Sequence, residues 1–218
     1  MTDVITPTRQ YWEDFYRNPD RTHSPVGKLN ALLVAEAGTL TPGTALDLGC
    51  AEGSDSIWLA RQGWRVTAVD VSATALGRAA ARAAEEGVAD RIDWQRHDLP
   101  QSFPAGEFDL VSAQFLHSPD DQGGTREAIL RRAAEAVAPG GALLISGHAG
   151  WPTWRHEPPQ GIHLPSTAEV LASLRLAPGR WQVERDELLV RESAGPDGEV
   201  GTREDNILRI RRLRRDVS

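Results

Sequence analysis

A single cysteine, Cys50, a single lysine, Lys28, and no excess of positive charge narrow the reading of this 218-residue chain before any motif is considered. One cysteine excludes an internal disulfide and any multi-cysteine metal site. Its place in a glycine-rich stretch makes Cys50 a small buried side chain rather than a nucleophile. A formal net charge of −7 argues against a DNA, RNA or anionic-membrane binder, which would present excess positive charge. No run approaches the roughly 18 apolar residues of a membrane span. The first residues are polar, without an apolar signal core, so the cytoplasm is the expected compartment. What remains is ordinary: 40% hydrophobic and 25% charged residues, at a length that fits one α/β domain over 1–218.

The stretch from Ala45 to Ala60 organises the rest. It opens apolar, as a buried parallel strand does, breaks at Gly49 and Gly53, and continues as a helix through Ile57, Leu59 and Ala60. Ser54 is the expected helix N-cap. Such a turn lets a ligand approach the backbone and points helix N–H groups at it. A second strand, Trp64 to Asp70, ends in a carboxylate placed to hold ribose hydroxyls. Two nucleotide readings compete. A dinucleotide fold wants G-x-G-x-x-G, and Ser54 stands where its last glycine belongs. The alternation Gly49, Ala51, Gly53, preceded by Asp47, resembles the first motif of the Rossmann-like S-adenosylmethionine (SAM) methyltransferases. Ala51 occupies the middle glycine position of that motif.

Taken in order, Thr8 to Arg17 reads as a short helix carrying Tyr11, Trp12, Phe15 and Tyr16. With the polar loop Arg21 to Val26 it forms an N-terminal segment, 1–26, that is either a lid or plain packing. An amphipathic helix spans Gly27 to Leu40. After Asp70 come a helix from Ala73 to Glu86, a third strand from Arg91 to Gln95, and His97-Asp98-Leu99-Pro100 at its end. Asp98 is either a ligand group or an Asx-type turn residue. A fourth strand, Phe108 to Ala113, runs into Gln114-Phe115-Leu116-His117-Ser118-Pro119, at the carboxyl end where open α/β sheets bind ligands. A helix from Gly124 to Val137 and the turn Pro139-Gly140-Gly141 precede strand five, Ala142 to Ser146, which ends at Gly147-His148. The long loop Ala149 to Pro165 carries Trp151 and Trp154 and is either a substrate cover or an insertion. Ser166 caps a helix to Arg175, and Trp181 to Arg191 with Asn206 to Leu213 form a closing hairpin around Asp197-Gly198. Arg209 to Arg215 reads as a solvated strand edge.

The order of motifs over 27–213 resembles the class I SAM-dependent methyltransferases, and within them the small-molecule branch of tellurite-resistance and thiopurine-type enzymes. That resemblance implies an α/β Rossmann-like sheet of seven strands, order 3-2-1-4-5-7-6, mostly parallel with the last strand antiparallel and helices on both faces. It implies S-adenosyl-L-methionine as cofactor, S-adenosyl-L-homocysteine as product, and a small-molecule methyl acceptor. The implied cofactor residues are Asp47, Gly49, Cys50, Ala51, Gly53, Asp70, Val71, His97, Asp98, Gln114 and Phe115. Tyr11, Trp12, Tyr16, Trp151 and Trp154 are expected at the acceptor. In-line displacement on a sulfonium needs positioning and water exclusion first. A base is needed only for a protonated nucleophile, and His117 and His148 are the candidates, each alternatively a loop histidine bonded to backbone. No metal is expected, because His148, His156 and His163 match no standard ligand spacing. Two rivals stay open: a non-catalytic SAM-binding module and a nicotinamide-dependent oxidoreductase.

Overall fold

Alternating burial along the strands decides the architecture. The computed structural model describes residues 6–18, 29–117, 124–157, 161–195 and 197–214. Its strands are β1 (Thr44–Leu48), β2 (Arg65–Asp70), β3 (Ile92–Arg96), β4 (Phe108–Gln114), β5 (Val137–His148), β6 (Trp181–Ala194) and β7 (Val200–Arg212). Its helices are α1 (Pro7–Arg17), α2 (Ala31–Ala37), α3 (Ser54–Arg61), α4 (Ala73–Glu85), α5 (Thr125–Glu135) and α6 (Thr167–Ser173). Leu46 and Leu48 of β1, Val111 and Ala113 of β4 and Leu143 and Ile145 of β5 pack with α5 and α6 residues on one face. Ala45, Leu110 and Leu144, one residue out of step, pack with residues of α2, α3 and α4 on the other. A one-residue slip would exchange the faces, and each buried leucine is worth roughly 1.5–3 kcal/mol, so register is strongly specified.

One seven-stranded sheet results, in the order β3-β2-β1-β4-β5-β7-β6. β1 to β5 pair in parallel. β7 runs antiparallel between β5 and β6. This is the expected α/β Rossmann-like sheet with its last strand reversed. The order turns between β1 and β4, and ligands bind at the carboxyl ends of strands flanking such a switch.

Several local expectations are corrected. The helix expected from Gly27 begins at Ala31, because the Asn30 side chain accepts from Leu32 N–H as N-cap, and it ends before Gly38. Ser54 is not the cap of α3: Gly53, with φ +77°, holds that position and Ser54 starts the helix. Pro139-Gly140-Gly141 is not a turn before strand five. It lies inside β5, where Val137 pairs with Phe108 and Ala142 with Leu110, so the extra residues bulge. A Cβ on Gly141 would sit 2.9 Å from two carbonyl oxygens of β4. The hairpin strands are longer than expected, since pairing runs on past the buried part of β7 to Ala194 and Val200, where most residues are exposed and backbone pairing carries the ribbon. The arginines of β7 are not a solvated edge either. Arg209 bridges Glu36 at 2.9 Å and Glu184 at 3.0 Å, and Arg212 bridges Glu107 at 2.9 Å. Residues 19–28, Ser118, Pro119, Pro158, Pro159 and Arg215, which also carried expectations, lie outside the described residues. Among the described residues no helix is long and apolar enough to cross a membrane, and no His, Cys, Asp and Glu cluster fits a metal ion.

Candidate active site

The loop after β1 is held by its own backbone. Gly49 N–H and Cys50 N–H both donate to the Val69 carbonyl at 2.9 Å, and Gly53 N–H donates to the Cys50 carbonyl at 2.9 Å. Gly49 adopts φ +71° and Ala51 φ +51°. At Gly49 a Cβ would approach Leu116 Cδ1 to 2.9 Å, and at Gly53 it would approach Trp94 to 2.5 Å and Ala79 Cβ to 2.8 Å. Left-handed backbone and close packing thus both demand glycine at Gly53. Ala51 accepts the strain of a positive φ and donates its N–H to Asp70 Oδ2 at 2.9 Å.

This loop forms the floor of a cavity of about 280 Å³. Asp70 and Val71 stand at the end of β2, His97 and Asp98 at the end of β3, and Gln114, Phe115 and His117 at the end of β4, all in its wall. Asp70 is buried and binds Ala51 N–H and Ser72 N–H, each at 2.9 Å. Burial raises its carboxyl above the ordinary range, against three backbone hydrogen bonds that lower it. Asp98 makes no Asx-type turn: its backbone carbonyl, not its side chain, accepts from Gln101 and Ser102 N–H, while the residue stands in the cavity wall and its carboxylate accepts from the Thr6 hydroxyl. His97 is braced by Ser102 at 2.9 Å and Gln95 at 3.1 Å, and burial, then Arg132, lowers its imidazole.

Beneath the floor lies an acidic layer. Asp47 accepts from the Ser56 hydroxyl at 2.6 Å. Burial, then the neighbouring Asp55 charge, pushes its carboxyl up to about 7, against the Ser56 hydrogen bond. Asp55 accepts from Asn30 N–H at 3.0 Å, and Asn30 Nδ2 donates to Gln114 Oε1 at 2.8 Å. Burial also raises Asp55. The Cys50 thiol is buried and pushed well up, first by burial and then by Asp70 and Asp47, so it is no thiolate. Asp47, Cys50 and Gly53 shape the loop from behind; they are not in the cavity wall.

The N-terminal helix closes one side. Trp12 and Tyr16 line the cavity, whereas Tyr11 is 51% exposed and meets Trp12 edge-on. Glu13 pins the helix by accepting from the Ser72 hydroxyl at 2.7 Å and the Thr74 hydroxyl at 2.6 Å. Burial raises the Glu13 carboxyl, but these bonds, Thr74 N–H and Arg17 outweigh it and bring it down to about 2.

On the far side Phe115 holds a left-handed φ of +49° and donates its N–H to the Ser146 carbonyl at 2.9 Å. Strained backbone of this kind persists where surroundings enforce it. His148, at the end of β5, is not in the wall but directly behind it: its ring lies 4.6 Å from Phe115 and stacks at 5.6 Å on His117. Its Nδ1 bonds Asp205 Oδ1 at 2.7 Å. Burial lowers the His148 imidazole below its usual value, in spite of the Asp205 hydrogen bond. Trp151 and Trp154 are not brought to the cavity. Trp154 Nε1 donates to Ser193 Oγ on the hairpin at 3.3 Å, and Arg155 covers the Trp151 ring at 5.1 Å. The sequence reading missed Asp55, Asn30, Glu13 and Asp205. Asp55, an acid in the first turn after the glycine loop, carried a signal; the other three act through contacts 25 to 84 residues away.

Residues 45–141 match the family described as methyltransferase domain. Over 119 residues the chain is 33% identical to a probable chloroplastic tocopherol O-methyltransferase of Oryza sativa subsp. japonica, covering 53% of this chain and 30% of that protein. A 51-residue stretch is 47% identical to ribosomal RNA small subunit methyltransferase C of Alcanivorax borkumensis, covering 23% of this chain and 16% of that one. The chain therefore spans less than a third of the length of either relative. Among solved structures it resembles one described by the conversion of a disulfide bond into a thioacetal group during echinomycin biosynthesis, with TM-score 0.72 and 19% identity over 96% of this chain and 93% of that one. TehB from Haemophilus influenzae follows at TM-score 0.65 and 16% identity, over 93% and 67%. The N-methyltransferase NodS from Bradyrhizobium japonicum WM9, in complex with S-adenosyl-L-homocysteine, gives 0.62 and 20%, over 95% and 99%.

Proposed function

Since residues 45–141 carry a methyltransferase domain within the fold of the class I SAM-dependent methyltransferases, we propose that this chain transfers a methyl group from SAM to a small-molecule acceptor. One observation carries the reading: the Gly49–Gly53 loop, Asp70 and Asp98 converge on one cavity at the carboxyl edge of the sheet. The residues present suit the cofactor. Asp70 offers a carboxylate for ribose hydroxyls, Asp98 one for the adenine amino group, and Leu99 and Pro100 an apolar surface beside it. The buried acids Asp47 and Asp55 complement a ligand carrying positive charge.

The sulfonium supplies an already activated methyl group. What the chain adds is orientation and exclusion of water, by Trp12 and Tyr16 above and Phe115 and Leu116 at the side. Where the acceptor molecule carries a proton, His117 in the wall and His148 stacked behind it are its candidate proton acceptors. A cavity enclosed by α1 favours a small acceptor over a macromolecule, as does the acidic net charge. The name of the tocopherol relative points the same way. We read the chain as one domain, 1–218, whose helix α1 covers the site, acting in the cytoplasm without nucleic acid or membrane partners.

A tritiated-methyl assay across phenols, thiols, amines and carboxylates tests the reading. Label transfer to at least one class is expected. Tight S-adenosyl-L-homocysteine binding with no transfer to any class would favour a non-catalytic SAM-binding module instead.

A further inference from the structure

The proton-accepting side of this site has a support that reaches across the sheet. Asp205 sits on β7 at 1% exposure, opposite His148 in the β5–β7 register. Its Oδ1 binds His148 Nδ1 at 2.7 Å, and its Oδ2 is held by Arg191 Nε from β6. Arg203 Nε lies 4.0 Å from Oδ1. The carboxylate cannot swing away, because three strands fix it. A carboxylate accepts hydrogen bonds only, so neutral His148 must carry its proton on Nδ1. Its Nε2 is then a bare lone pair on the far side of the ring, with no hydrogen-bond partner among the described residues. Phe115 and His117, which contact that ring, are cavity wall.

We propose that Asp205, clamped by Arg191, is a positioning residue that fixes the Nδ1–H tautomer of His148 and so fits this site to acceptors bearing a hydroxyl or thiol. The proposal rests on the methyltransferase reading. His148 stands one layer behind Phe115 and His117, so in the step it serves the acceptor's proton passes through one bridging water, which gives its own proton to His148 Nε2, as the acceptor's oxygen or sulfur bonds the methyl carbon. The carbon–sulfur electron pair stays on the cofactor's sulfur, which becomes a neutral thioether, and the imidazolium later releases the proton to solvent. The groups facing His148 are Asp205 and Arg203 from β7, Arg191 from β6 and His117 after β4. Asp205 favours the imidazolium and the two arginines oppose it, so their removal should act with opposite signs.

The test uses the full chain with ¹⁵N-labelled histidine, the six ring systems being assigned with the help of H148Q. Long-range ¹H–¹⁵N spectra from pH 5 to 9 should show His148 protonated at Nδ1 when neutral. Asp205→Asn should move that proton toward Nε2 and lower the titration midpoint, whereas Arg203→Gln should raise it. S-adenosyl-L-homocysteine affinity within about threefold of the parent verifies folding, and Arg203→Gln keeps the test alive should Asp205→Asn not fold. Turnover is read with SAM and 2-mercaptoethanol or catechol, both protonated at neutral pH, as probes. Asp205→Asn and His148→Gln should each lower kcat at least about tenfold, with acceptor KM within threefold. An unchanged tautomer in Asp205→Asn, or unchanged midpoints in both charge variants, overturns the proposal. Loss of kcat in His148→Gln but not in Asp205→Asn also overturns it and leaves the methyltransferase reading standing. Absence of all turnover and of S-adenosyl-L-homocysteine binding overturns that reading instead, whatever the tautomer shows.

Discussion

Ala51 shows how one methyl group weighs against a motif. Its φ of +51° is a conformation that costs an alanine about 1 kcal/mol, and glycine would adopt it freely. Ala51→Gly should therefore raise stability by about 1 kcal/mol in urea denaturation, without weakening S-adenosyl-L-homocysteine binding; a destabilised variant would mean that the methyl packs usefully. Asp47 makes a second prediction at this scale. Its carboxyl, pushed up to about 7 by burial and by Asp55, is partly protonated at neutral pH. A cationic ligand favours the ionised form, so SAM should bind more weakly at pH 6 than at pH 8 and release protons on binding near pH 7. Calorimetry in two buffers of different ionisation enthalpy measures that release. Affinity independent of pH over this range would contradict the role given to Asp47.

Helix α1 is the element on which closure of the cavity depends. Thr6 and Glu13 tie it to the ends of β3 and β2, so it is already seated against the sheet. The folded Glu13 carboxyl sits at about 2, below its ordinary 4.5. A depressed carboxyl contributes stability that is full above the unfolded value and is lost as pH falls toward the folded one. Docking of α1 should therefore weaken between about pH 4.5 and 2, seen as faster hydrogen exchange over Pro7–Arg17. Glu13→Gln should reproduce that loosening at pH 7, and equal exchange in both proteins would detach Glu13 from the docking. The sequence announced this helix and its aromatics, but not Glu13's partners, Ser72 and Thr74, which lie about 60 residues on. In the same way the long loop displayed its tryptophans without saying which surface they cover. Trp154 found the hairpin instead of the cavity.

At the scale of the whole molecule, the strands and the glycine-rich loop were legible because each rests on local signals, short apolar runs, glycine pairs and acids at strand ends, whereas the strand order came from the family resemblance. The closing hairpin was less so. Its ribbon shows no apolar alternation, and its arginines looked solvated until Glu36 of α2 and Glu184 of β6 were seen beside them. Glu36 is 3% exposed and bridges Arg185 at 3.2 Å and Arg209 at 2.9 Å, tying the hairpin to the helical layer. Arg209 keeps Glu184 and the half-exposed Arg185 keeps Glu187 when Glu36 loses its charge, so Glu36→Gln should cost about 1–2 kcal/mol in urea denaturation. A cost below about 0.5 kcal/mol would return this network to the surface ion pairs that contribute little.

The central claim is that one cavity, built by the Gly49–Gly53 loop with Asp70 and Asp98, holds SAM. Titration calorimetry of the parent and of Asp70→Ala with S-adenosyl-L-homocysteine and with NAD measures it most directly. S-adenosyl-L-homocysteine should bind the parent, with NAD far weaker. Asp70→Ala should lose about 2–5 kcal/mol, roughly 30-fold or more, because charge-assisted bonds to two ribose hydroxyls disappear. NAD bound at least as tightly as S-adenosyl-L-homocysteine, or an Asp70→Ala change below about threefold, would contradict the account.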